Sequence, residues 1–511
     1  MTKSRNDGTA AKRLSSVPPK SRPRANKVQR ALTAASKVEG DESQAEALLE
    51  VMAERRTRRF PKGADMPPEG PLAFRGESTG YGQVTELQQA TLAFAGVGLT
   101  GPVLGDVPYQ SDPKGGGNVL ASLVGRSALS PDAAHCVSLV VVNDSGDSDT
   151  AGVHFLRRPQ NFKREDLIRV ASYSAERTPD WQLRLYEELR VKLPNLSRET
   201  LKTDLEAHKP PMPTFNTWAS NAKGSTYFLP VLELSEIYLS ILFGGLEENS
   251  GYFIVDDRNG LLPAGLANEA RSRGGYLNDK PSERRIFTQD YIETLASMLA
   301  AIELGAVMQN LSLMAHALGL GGWPHFAGGT AWLKALRFKN ETLKSSRVLG
   351  LPDALALELR LAGQDQDVWS PLGLAAPDGG DPLIKPYCPP FYSNMKEAVL
   401  AFVEAKFEKE RGRFRADGNP SRWKDDPSAD EVRKAPNSRS IRKGIPPYSP
   451  QQIQAAVDHA SYVYDRYGRF PGKFGPLTTV TAFQVHQLEE PFYQKYYRPS
   501  ALNATAERSK P

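Results

Sequence analysis

Residues 291–325 read YIETLASMLAAIELGAVMQNLSLMAHALGLGGWPH, and the rest of the chain is arranged around this stretch. The proline-free run predicts one long helix. Apolar residues fall on nearly every face of it, among them Leu295, Met298, Ile302, Val307, Leu311 and Met314. A helix that is apolar all round is either buried on all sides or shared between two subunits. After Glu293 the only acid is Glu303. Glycines at 319, 321 and 322 allow positive φ and a tight exit. Trp323, Pro324 and His325 follow, then a second pair, Gly328 and Gly329. Two readings of that exit stand: a glycine cap on a core helix, or bare backbone amides set against a flat, electron-rich ligand.

Composition sets limits on the class of protein. With 511 residues, 40% of them hydrophobic, the chain can bury a substantial core. No run of eighteen apolar residues is free of charge, and the N-terminus has no apolar signal core. No membrane span and no secretory signal are therefore expected. Two cysteines, Cys136 and Cys388, lie far apart and outside any CxxC pair, which points to a reducing, cytoplasmic setting and away from structural zinc. The histidines form no HExxH or HxH pattern, so no metal site is expected. The net charge of +5 is unevenly placed: residues 1–38 carry ten Lys/Arg against Asp7 alone, leaving the remainder at −4. That basic tail, residues 1–40, is expected to be disordered, and any contact with nucleic acid would belong to it alone.

Residues 41–56 read as a helix ending in the cluster Arg55, Arg56, Arg58, Arg59, then Phe60 and Pro61. So many arginines repel one another unless an anion lies between them, and the guanidinium fork suits phosphate. The alternatives are a solvated basic turn or a continuation of the tail. A second helix spans 84–97, followed by a turn region at 96–105. The glycine-rich loop at 111–118 lacks both the Walker lysine and the GxGxxG order. Residues 137–143, VSLVVVN, form a short β-branched run expected to be a buried strand. Helices are expected at 164–172 and 180–193, a strand at 226–232 and a helix at 233–243. GYFIVDD at 251–257 reads as a strand, its aspartates and Arg258 forming a turn held by an ion pair. Residues 346–361 read as a helix and then a strand-like run, 378–390 as a proline-rich crossing, and 393–412 as a charged helix. Few large apolar residues occur in 413–449, which reads as an exposed linker. The expected division is a main domain at 41–400, a charged linker at 401–450, and a helical, aromatic C-terminal extension at 451–511 packed on the body.

Three pieces, in order, carry a resemblance: ERRTRRF at 54–60, ELGAVMQNLSLMAHALGLGGW at 303–323, and VLGLPDALALELRLAG at 348–363. Together they resemble the nitroreductase family of FMN-dependent oxidoreductases over roughly 55–360, with large insertions. The arginine motif is one residue shorter than the family's RRSxRxF. The family's Asn-x-Gln-Pro-Trp segment has no clear counterpart, its slot being filled by 130–137 (SPDAAHCV), with Asn221 as a rival.

The resemblance implies an α+β fold: a mixed sheet flanked by helices, in an intertwined homodimer around the long central helix. It implies FMN at the dimer interface, with hydride passing from NAD(P)H through the flavin to a small-molecule acceptor. The phosphate would fall to Arg55 and to Arg58 or Arg59, with Lys385 a further cation. Ser130 and His135, or Asn221, would meet the ring's polar edge, and the backbone at Trp323–Gly329, His325 included, with Gly322 before it, would face its N5/O4 edge. No catalytic side chain is implied. The missing segment and the long additions leave a second reading open, a flavin-less dimer of this type serving as a binding or assembly module.

Overall fold

The computed structural model describes residues 42–64, 76, 78–102, 124–146, 150–207, 220–326, 329–407 and 448–498. The basic tail, the 111–118 loop and most of the charged linker lie outside these. The chain forms two compact units, Met1–Ala53 and Glu54–Pro511. The described part of the first is the body of helix α1 (Glu42–Glu54).

The second unit mixes helix and sheet, an α+β architecture. Its elements in chain order begin with α2 (Glu86–Val97), β1 (Leu99–Pro102), β2 (Val124–Arg126), β3 (Val137–Asn143) and β4 (Gly152–Leu156). Next come α3 (Arg164–Glu176), α4 (Trp181–Leu189), β5 (Arg190–Lys192), α5 (Arg198–Ala207), β6 (Thr226–Glu233) and α6 (Ser235–Gly245). A small sheet of β7 (Phe253–Asp256), β8 (Leu262–Pro263) and β9 (Ile286–Thr288) leads into the long helix α7 (Gln289–Ala317). Then follow β10 (Gly321–Phe326), α8 (Thr330–Ala335), β11 (Lys339–Lys344), α9 (Asp353–Leu361) and β12 (Asp367–Gly373). The chain closes with α10 (Met395–Phe407), α11 (Pro450–Tyr467), β13 (Leu477–Thr478), β14 (Thr481–His486) and α12 (Glu490–Tyr496).

The main sheet runs β10-β14-β6-β3-β4-β5, with β13 also on β6. Every pairing in it is antiparallel, whereas the resemblance implied a mixed sheet; among the described residues, parallel strand pairing joins β7 to β9 in the small sheet, with isolated parallel bridges at Tyr252–Asn278 and Ala270–Leu277. All seven residues of β3 are buried, as an unbroken apolar run requires. Leu139 and Val141 join the core that includes α2, α6 and α7, while Val140 and Val142 join the core on the opposite face with α5 and α8. The sheet is thus the middle layer of three.

Helix α7 is capped by Thr288, whose hydroxyl accepts from the amide of Tyr291. It ends where Gly319, at φ +72°, turns the chain so that the Leu320 amide reaches back to the Ala315 carbonyl. It is not buried all round. Ile292, Ala296, Ala300, Val307, Leu311 and Ala315 form one buried stripe, and the opposite face is open. By length and composition alone α7 could cross a bilayer. Its two buried acids tie it into this body: Glu293 pairs with Arg258 at 2.8 Å and Glu303 with Arg126 at 3.3 Å.

The expected ion pair near 256–258 therefore has a different partner. Asp256 holds the turn by accepting from the Arg258 amide and from the hydroxyls of Tyr462 and Tyr467. The guanidinium of Arg258 goes to α7.

Four further segments depart from expectation. Part of the 96–105 turn is strand β1. The helix expected to start at Pro352 is α9, and it continues to Leu361 through the part read as strand-like, because its Ala, Leu, Glu and Arg residues are strong helix formers. Residues 321–326 are not a free loop but an edge strand. The C-terminal segment supplies β14, which lies between β10 and β6 inside the main sheet.

Candidate functional site

The arginine segment and the exit of α7 meet at the β10 edge of the sheet. An extended chain points successive side chains to opposite sides, and Arg58 and Arg59 use this to straddle the edge strand. The Arg58 Nη2 donates to the Leu320 carbonyl at 3.0 Å and lies 3.4 Å from His316 Nδ1. Arg55 Nη1 reaches Ser312 Oγ at 3.4 Å. These contacts put two cations at the negative end of the α7 dipole. On the other side the Arg59 guanidinium sits over the Trp323 ring, 4.7 Å from its centroid. The backbone of the segment is pinned too. His486 Nε2 donates to the Arg58 carbonyl at 2.9 Å, and Glu489 N donates to the Phe60 carbonyl.

Trp323, Gln484 and Tyr227 stand in register across β10, β14 and β6, on one face of the sheet. His325 shares that face. Its Nδ1 donates to the Phe326 carbonyl and its Nε2 accepts from Tyr227 Oη at 2.7 Å. Asn221 joins through its amide, which donates to Gln484 Oε1 at 2.8 Å, while its own Oδ1 accepts from Arg198. Burial pushes the His325 imidazole down to about 4. Burial, with Arg58 next to it, also lowers that of His316. Both rings are neutral near pH 7, so the cations at this corner are the arginines.

Three buried donors here, Arg58 Nε, Trp323 Nε1 and Asn221 Nδ2, have no acceptor among the described residues. On the Trp323 face, the idle donors of Trp323 and Asn221 suit an acceptor-rich ligand such as a carbonyl-bearing ring, whereas Arg58 Nε lies on the α7 side. The glycines have another task. A Cβ on Gly321 would fall 2.5 Å from the Arg58 carbonyl oxygen, and one on Gly322 would fall 3.0 Å from the Phe483 ring. These two positions are glycine so that the strand, the arginine segment and α7 can pack together.

Of the residues singled out in the sequence, Arg55, Arg58, Arg59, Asn221, Gly322, Trp323 and His325 gather around this corner. Ser130 and His135 do not. The Ser130 hydroxyl donates to Glu303 at 2.7 Å and accepts from the His135 amide. Glu303 also accepts from the amides of Cys136 and Val137. It lies thirteen residues before His316, about 20 Å along the helix. Lys385 lies elsewhere again, its amine over the Tyr392 ring. Tyr227, Gln484 and His486 were not anticipated; the alternation in 481–486, TAFQVH, was the available signal for the last two.

No protein-family model, curated protein or solved structure matches this chain.

Proposed function

We propose that this protein is a cytoplasmic FMN-dependent oxidoreductase of nitroreductase type, working as a homodimer and passing hydride from NAD(P)H to a small-molecule acceptor. The supporting observation is the meeting of Arg55, Arg58 and Arg59 with the α7 exit, distant in sequence but joined as the resemblance implies. Arg55 with Arg58 on the α7 side, or the exposed Arg59 on the other, would hold the FMN phosphate. The Nε1 of Trp323 and the Nδ2 of Asn221 are donors for the ring's oxygens. When bound, FMN supplies hydride acceptance and donation. His325, neutral and bonded to Tyr227, fixes the wall of the site without serving as an acid.

The open face of α7 supports the dimer. Tyr291, Leu295, Met298, Ile302, Gly305 and Gln309 follow one another at intervals of four and three, the heptad seam that packs two helices at about 20°. Met298 is 58% and Ile302 48% exposed, and nothing lies within 4 Å of a Cβ built on Gly305. Titration of the purified chain with FMN tests the reading. Retained flavin with a band at about 450 nm, bleached by NADPH, supports it. Colourless protein that takes up no FMN overturns it.

A second reading has its own observation. Arg55 and Arg58 are already engaged on α7, and Gly321 and Gly322 are packed rather than open. Those contacts suit a flavin-less dimer of the same build, serving as a binding or assembly module. It predicts the same self-association and no absorbance band.

A further inference from the structure

A cavity of about 660 Å³ opens on the far side of the sheet from the arginine corner. Its lining includes Arg157–Phe162 from the chain after β4, Lys192 at the end of β5, the crossing near Lys385, and α10. Strand β4 stands four positions from β10 in the sheet, about 19 Å away at the usual strand spacing. None of residues 55–61 or 316–326 lines it. The volume falls within the range of about 300–1,000 Å³ typical of small-molecule sites.

Its charges are graded from wall to mouth. Arg158 is only 4% exposed, and its Nε and Nη1 have no hydrogen-bond partner among the described residues. It forms a buried ion pair with Glu233, but at 4.0 Å from Nη1 the contact is too long for a hydrogen bond. That carboxylate is already occupied by the Ser235 amide and hydroxyl and the Glu236 amide. A buried guanidinium with idle donors is costly unless an anion reaches it. The neighbouring Arg157 is turned away onto the Glu188 carbonyl and the Phe162 ring. Lys406, also buried, belongs to the same cavity; of the acids lining it, Asp378, Asp381 and Glu404 are exposed, and the half-buried Glu236 accepts from Gln160 Nε2 at 3.1 Å. Phe162, Tyr387, Tyr392 and Phe402 add flat apolar walls.

We infer that this cavity is a second ligand site, for a small organic anion with a flat apolar body, its carboxylate or phosphate on Arg158 and its body among the aromatic rings. Lys385, exposed and held over Tyr392, is a cation at the mouth, as is the exposed Lys192. The inference does not depend on flavin at the opposite edge.

Calorimetric titration of the full chain with benzoate, phenyl phosphate and neutral benzamide tests it. One anion is expected to bind once per chain and benzamide at least tenfold more weakly; the tighter of benzoate and phenyl phosphate identifies the head group. Arg158→Met should weaken that anion at least tenfold. Because burial at 158 can affect folding, Lys385→Glu gives a surface test, expected to weaken binding several-fold with an unchanged melting temperature. Arg58→Ala, at the other site, should leave the affinity as it was. Equal binding of benzamide, no binding of either anion at millimolar concentration, or loss of binding in Arg58→Ala would overturn the inference.

Discussion

Arg59 lies face-on over Trp323, 4.7 Å from the ring centroid, while the preceding Arg58 binds the end of α7 on the other side of the same strand. The two arginines therefore do different work, and their substitutions separate. Arg59→Gln removes an exposed cation–π contact worth about 0.5–1 kcal/mol, so the urea midpoint should move little while FMN affinity falls and Trp323 emission shifts. Arg58→Met leaves the Leu320 carbonyl unpaired and should cost about 1–3 kcal/mol of stability as well. Equal stability losses in the two variants would show that the straddling geometry is wrong.

Glu303 is the anchor of α7 against the start of β3. Its carboxylate gathers donors from Arg126, Ser130, Cys136 and Val137 in a dry site. Glu303→Ala strands a buried arginine, a hydroxyl and two amides, and should cost about 3–5 kcal/mol by urea unfolding. A loss below about 1 kcal/mol would mean that the network is solvated.

The sequence was legible where one local signal dominated. The β-branched run of β3 and the proline-free run of α7 gave their positions directly, because burial on both faces and helical continuity are written in consecutive residues. Arg55, Arg58 and Arg59 stood out as a group through local charge density, but each has its own partner: Ser312, the Leu320 carbonyl and Trp323. What could not be read was pairing. Nothing local in TAFQVH says that it lies between β10 and β6, and nothing in SPDAAHCV says that Ser130 serves Glu303 rather than a ligand. Arg158 gives no local signal, because an arginine pair before a proline reads as ordinary surface charge until burial removes the water from the second of them.

The pH dependence follows from buried histidines. Burial pushes His459 and His486 down to about 4, against 6.5 for an ordinary imidazole. Between those values the unfolded chain binds more protons than the folded one, so stability rises with pH across that window. The contribution is complete above about pH 6.5 and is lost as pH falls toward 4, up to about 3 kcal/mol for each ring. His459 also accepts from Tyr238 Oη and donates to the Ala264 carbonyl. His459→Phe should therefore be less stable at pH 7.5 but lose less on going to pH 4.5, and its curve should approach that of the parent. Parallel curves would place the titration elsewhere.

Strand β14 makes the C-terminal segment part of the main sheet. Truncation after Arg469 removes the partner of both β10 and β6 and exposes the core around Phe483 and Val485. The shortened chain should be insoluble or bind a dye for exposed apolar surface. A cooperative melt close to that of the full chain would show that the segment is dispensable.

The seam on α7 yields the sharpest test of the assembly. From Tyr291 to Gln309 it runs eighteen residues, about 27 Å, long enough for several layers of facing side chains. Ile302 sits at its middle and contributes nothing to the buried stripe of its own subunit. Ile302→Asp places a charge where two copies would meet, yet in a single chain it stays in water. Sedimentation should show twice the chain mass for the parent and a single mass for the variant, with an unchanged circular dichroism spectrum. If the site at the arginine corner is completed by the second copy, the variant should also lose FMN. A parent protein that sediments as a monomer at tens of micromolar would remove both expectations at once.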